Sequence, residues 1–119
     1  YLDNLDQRSL KPAENRPITF AEEVDRIYQQ PCGSGPGVVL SDAMWQRHVR
    51  VQTENIPETV VWNPWTVKGN GMGDMGHNEF RHMVCIEPAV AQAPPVVVPK
   101  GETARLSQTL TVLYTDLYT

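Results

Sequence analysis

Short runs that alternate apolar and polar residues recur along the chain, and this period of two most constrains its fold. In WQRHVRVQT, Trp45, Arg47, Val49 and Val51 take one face of an extended strand, and Gln46, His48 and Arg50 take the other. The same reading covers EVDRIY, GVVLSDA, ETVVWNPW (a strand stopped by Pro64), FRHMVCIEP and ARLSQTLTVLYT. CGSGPG, at 32–37, is a turn cluster whose glycines suit positive φ. KGNGMGDMGHNE reads as a glycine-rich loop, PPVVVPKG as an extended segment and turn, and YLDNLDQRSLKPAENRP as a strand end and a long loop. No stretch carries the stripe of an amphipathic helix. About six strands at roughly 8–12-residue spacing predict an all-β fold, antiparallel, of sandwich or barrel type.

Two strands do not fit a small sandwich. VVW and MVCI are apolar on both faces, and such strands need a covering layer on each side. A chain of 119 residues offers little to cover them. The expectation is therefore the C-terminal part of a larger sandwich.

Composition removes several function classes. The net charge of −4 leaves no basic footprint for nucleic acid. No apolar run approaches the roughly 20 residues of a membrane span. Two distant cysteines, Cys32 and Cys85, allow one disulfide or two thiols, and two thiols in the cytoplasm is the expectation. The chain opens on Tyr rather than Met, so its targeting cannot be read from its first residues.

The residues that break the pattern are the candidate site. Glu87 stands within FRHMVCIEP, on the strand face expected to hold Met83 and Cys85, while His82, Val84 and Ile86 take the other. A carboxylate among such neighbours is costly unless paired or wetted by a cleft. Burial there would raise its pKa toward that of a general base; the alternative is a strand-end Glu reaching solvent. Asp25 sits mid-strand in EVDRIY. It either grips neighbouring sugar hydroxyls or forms a cross-strand salt bridge. In WNPW, Trp62 and Trp65 could stack on sugar C–H faces while Asn63 bonds hydroxyls, or the motif is core and strand terminator.

Other motifs are set aside. GMGDMG, Gly71 to Gly76, matches a dinucleotide fingerprint by letter, but a strand pattern follows where a helix must open, so no cofactor is expected. His48, His77, His82 and Cys85 lack zinc spacing, so no metal is expected.

YLDN, EVDRIY, VVWNPW, the Met-Gly-Asp-Met loop and MVCIEPA occur in this order. Together they resemble the C-terminal part of the hexose-6-phosphate mutarotases, the glucose-6-phosphate 1-epimerases of the aldose-1-epimerase superfamily. The resemblance implies an antiparallel β-supersandwich, with residues 1–119 as the C-terminal portion of a single domain whose N-terminal portion is absent. It implies metal-free exchange of the α and β anomers of a hexose 6-phosphate by a protein that is monomeric when complete. Glu87 matches the family's general base, and Asp25 the aspartate that binds sugar hydroxyls. The family's acid histidine and its phosphate-holding arginines have no counterpart motif here. The competing expectations are a non-catalytic carbohydrate-binding module and a ligand-free structural domain.

Overall fold

The structure is a computed structural model, and it describes residues 1–29 and 37–114. The CGSGPG turn, with Cys32, lies outside the described residues apart from Gly37. Strands dominate: β1 (Leu2–Asp3), β2 (Ser9–Leu10), β3 (Val24–Gln29), β4 (Val38–Asp42), β5 (Arg47–Glu54), β6 (Glu58–Asn63), β7 (Cys85–Ala89) and β8 (Ser107–Tyr114). All pairings are antiparallel. They form a five-stranded sheet in the order β2-β1-β3-β6-β7 and a three-stranded sheet in the order β4-β5-β8. The all-β expectation holds. No helix among the described residues is long and apolar enough to cross a membrane.

The five-stranded sheet is organised around β3 and β6, which pair over their full lengths from Val24↔Asn63 to Gln29↔Glu58. Each has a neighbour on both sides, and each buries residues on both faces. Val24 and Ile27 are buried on opposite faces of β3, as are Glu58 and Thr59 on β6. This is the double burial that VVW implied. One face turns toward β4, across an apolar cavity of about 370 Å³ whose lining includes Phe20, Leu40, Val61, Val84 and Ile86.

Local chemistry closes the short connections. Asp3 accepts from the Leu5 amide at 3.1 Å, and Gln7 and Arg8 adopt positive φ, which turns the chain from β1 into β2. Asp42 closes the β4–β5 hairpin: its carboxylate accepts from the Trp45 amide at 3.2 Å and from Arg47 Nε at 3.0 Å. Gly37 has φ of +75°, and a Cβ there would lie 2.2 Å from the Val51 carbonyl oxygen, so only glycine fits.

Three expectations need correction. The strand of ETVVWNPW stops at Pro64 as its proline implies, but the residues after it do not pass straight into a glycine-rich loop: Trp65–Gly71 forms a short helix, α1. Phe80 does not begin a strand. Glu79–His82 is a 3₁₀ turn, and β7 starts only at Cys85. The physical reason is the Phe80 ring, which is 0% exposed. It packs edge-to-face on Trp65 at 5.1 Å and lies against Gly69, where a Cβ would come within 3.3 Å of the ring. Burying that ring bends the chain away from extended geometry. Finally, Trp45 lies in the hairpin turn, exposed, rather than in β5.

Candidate active site on the five-stranded sheet

Register decides which side chains can act together. Asp25 lies across from Trp62, and Trp62 lies across from Cys85. Two pairs further along, Ile27 lies across from Val60, and Val60 from Glu87. Directly opposed residues project to the same face of an antiparallel sheet. Asp25, Trp62, Cys85 and Glu87 therefore share one face, with Trp62 in the middle. From strand spacing and rise, the Asp25 and Glu87 Cα atoms are about 12 Å apart on the diagonal.

Asp25 is half-buried, and its Oδ1 accepts from Asn4 Nδ2 at 2.7 Å. The residue across from it is an indole, so a cross-strand salt bridge has no partner in register. Asn4 comes from the YLDN stretch, which the structure thereby ties to EVDRIY; its Oδ1 is buried without a partner. At the end of β3, Asp25 borders a hollow of about 300 Å³ lined also by Asp3, Asp6, Glu22 and Glu23. Two of these carboxylates are paired with lysines, Asp6 with Lys11 and Glu23 with Lys68. Arg26 also lines this hollow, and its guanidinium lies over the Tyr1 ring at 4.6 Å and 3.4 Å from the Glu14 carboxylate.

Glu87 differs from expectation in one respect. It is exposed, because β7 is an edge strand and the described residues place nothing beyond it. The water-poor environment expected of it is not supplied by these residues. Its neighbour on the same face is the Cys85 thiol, a free cysteine. Burial pushes that thiol's pKa up, and the charge and hydrogen bond of Glu87 push it further. His82 lies on the 3₁₀ turn, outside β7, so strand parity does not govern its direction. His48 sits in the other sheet, 3.1 Å from Ser41 Oγ.

WNPW divides into two roles. Trp62 joins the carboxylate face. Asn63, 2% exposed, is internal. Its Nδ2 donates to the carbonyls of Phe80 and Met83, each at 2.8 Å, and its Oδ1 accepts from the Trp65 amide at 2.9 Å. Those bonds help hold Trp65 at a φ of +54°, a conformation rare for a bulky residue. Asn63 is thus the clamp between β6 and the turn before β7, its amide committed to internal bonds. GMGDMG begins at the last residue of α1 and leads into the 3₁₀ turn rather than a helix. Among the described residues no group of three or more His, Cys, Asp or Glu could hold a metal ion.

Comparison with known proteins bears on this face. The family described as aldose 1-epimerase matches residues 2–111. The chain belongs to the aldose 1-epimerase family. It is 33% identical over 102 residues to a protein of Cenchrus ciliaris named "Putative glucose-6-phosphate 1-epimerase", covering 86% of this chain and 30% of that protein. Proteins of the same name from Salmonella typhimurium and Escherichia coli are 32% and 31% identical over 94 residues, each covering 79% of this chain and 31% of the relative. The chain thus spans about 30% of the length of the curated relatives it matches. No solved structure gives a significant match. The epimerase match spans β1 to β7 and most of β8, so it contains every residue of the carboxylate face.

Two polar residues on or beside this sheet carry no obvious sequence signal. Asn4 looks like an ordinary turn residue, although its place in YLDN marks it. Glu58 looks like a solvated strand end after the Ile-Pro turn, yet it is 1% exposed.

Proposed function

We propose that this chain supplies the base and a hydroxyl-binding carboxylate of an enzyme that interconverts the α and β anomers of a hexose 6-phosphate. The observation that carries this reading is the register that sets Asp25, Trp62 and Glu87 on one face of one sheet. Glu87 takes the proton from the anomeric O1 hydroxyl while an acid protonates the ring oxygen. The C1–O5 bond opens, the aldehyde turns about C1–C2, and closure on its other face gives the opposite anomer. Microscopic reversibility makes Glu87 the acid on return. Asp25, fixed by Asn4, holds ring hydroxyls, and Trp62 offers an apolar face between the two carboxylates.

On this reading the acid, the phosphate ligands and the cover over Glu87 come from further polypeptide of the same cytoplasmic protein, so the 119 residues alone turn over little or no substrate. Glu87→Gln in the complete protein lowers anomer exchange by about 10²–10⁴-fold with sugar binding largely kept. Full exchange by Glu87→Gln, or by the isolated chain, overturns the reading. The exposure of Glu87 favours one alternative, a carbohydrate-binding module without turnover. Sugar binding by the complete protein with no exchange at any pH would select it.

A further inference from the structure

β7 is a poor strand on which to mount a catalytic group. Among the described residues it is an edge strand of five residues, paired only with β6. Pro88, next to Glu87, has no N–H to give to a ladder. What holds the far end of β7 is a group with no part in the chemistry above. The Glu58 side chain is fully buried, and its Oε2 accepts from three successive backbone amides: Ala91 at 2.7 Å, Gln92 at 2.7 Å and Ala93 at 3.1 Å. Its backbone pairs with Ala89, the last residue of β7. Main chain and side chain of one residue therefore clamp the strand end and the three amides that follow it.

We propose that Glu58 is a positioning residue for Glu87: its carboxylate anchors the chain just beyond β7 and so fixes where the Glu87 carboxyl stands on the sheet face. This rests on the reading of Glu87 as the base. Three amides converging on one carboxylate oxygen make a rigid anchor, because hydrogen bonds to an ionised acceptor are short and strong. Burial alone would raise the Glu58 pKa, but the three N–H bonds outweigh it and hold the carboxyl below its ordinary value, so the anchor stays charged at neutral pH. The other oxygen, Oε1, is buried without a partner. Glutamine fits the same space with its carbonyl oxygen at the amides, whereas alanine cannot reach them.

The test uses Glu58→Ala, Glu58→Gln and Gln92→Pro in the complete protein, with amide hydrogen exchange and anomer-exchange kinetics read together. In Glu58→Ala, exchange at Ala91–Ala93 quickens about tenfold or more while β3 and β6 keep their protection. The kcat falls by about 10- to 100-fold with KM nearly unchanged, as for a displaced reacting group. Glu58→Gln restores kcat to within about threefold. Gln92→Pro removes one donor at an exposed position and gives an intermediate loss of kcat, so the proposal remains testable if Glu58→Ala does not fold. Unchanged exchange at Ala91–Ala93 in Glu58→Ala overturns the anchor. Quickened exchange with unchanged kcat overturns the positioning role. Full turnover in Glu87→Gln sinks the base assignment, and the catalytic role of Glu58 with it, while the hydrogen-exchange result still reports the anchor by itself.

Discussion

The two sheets are built from the same alternating pattern and differ in what holds them. In the five-stranded sheet, buried polar side chains tie strand ends to the following turns: Asn63 binds the turn before β7, and Glu58 the loop after it. In the three-stranded sheet, the polar side-chain bonds of β4, β5 and β8 are exposed or part-buried, and one residue, Val51, is buried among the strands described. β8 pairs with β5 across about half the sequence, from Arg47↔Tyr114 to Glu54↔Ser107, yet its apolar side chains stay exposed. The lesson is that the ladder fixes geometry in both sheets, while burial and buried polar anchors fix stability in only one. The candidate site stands on the anchored sheet.

The comparison breaks most readily at Phe80. Its ring is the one aromatic side chain fully buried among the described residues, and it supports α1, Gly69 and the turn clamped by Asn63. Phe80→Ala is expected to cost about 3–5 kcal/mol, measured by urea unfolding. A cost under about 1 kcal/mol would mean that the five-stranded sheet is not organised around this ring.

Phe80 also shows where the sequence stops being legible. β3, β4, β5 and β6 can be read from alternation because each covers one or two faces of a sheet, and their neighbours merely agree. Asp25 and Glu87 stand out as candidates because a carboxylate inside such a pattern has to be explained. The bend at Glu79–His82 cannot be read, because FRHMVCIEP alternates acceptably as a strand. What overrides it is a ring buried against a helix of low propensity and an Asn side chain 17 residues upstream. The exposure of Glu87 depends on which strand forms the sheet edge, and alternation says nothing about strand order. Glu58 is illegible for a similar reason: its three amide partners lie 33 to 35 residues away.

A smaller effect separates the anchored sheet from ordinary surface charge. The folded-state pKa of Glu58 lies below its unfolded value of about 4.5. Its contribution is therefore fully present above the unfolded pKa and is lost as the pH falls through the folded one. Glu58→Gln should cost about 1–2 kcal/mol at neutral pH and flatten the acid limb of stability below about pH 4.5. Asp6 titrates in the same direction, held low by its hydrogen bonds to Lys11 and Ser9 and by the Lys11 charge, but it is exposed. Its share should fade in roughly 1 M salt, where screening is complete within a few ångströms, and the Glu58 share should persist. Urea titrations at about pH 6 and pH 3, each with and without salt, read both. An acid limb unchanged by Glu58→Gln would remove the anchor from the stability account.

The smallest expected effect is the most informative about the three-stranded sheet. Leu110 lies directly across from Val51. The two project to the same face, yet Val51 is 3% exposed and Leu110 is 61% exposed. Leu110→Thr keeps a strand-forming residue and removes the apolar side chain, so strand propensity is preserved and only burial is tested. In the isolated chain the change should stay within about 0.5 kcal/mol, as for a surface position. Val51→Thr, on the neighbouring strand, places a hydroxyl where it has to find a buried partner and should cost clearly more. Equal costs at the two positions would show that β8 is covered in solution. The contrast between the sheets would then lie in the anchors alone and not in burial.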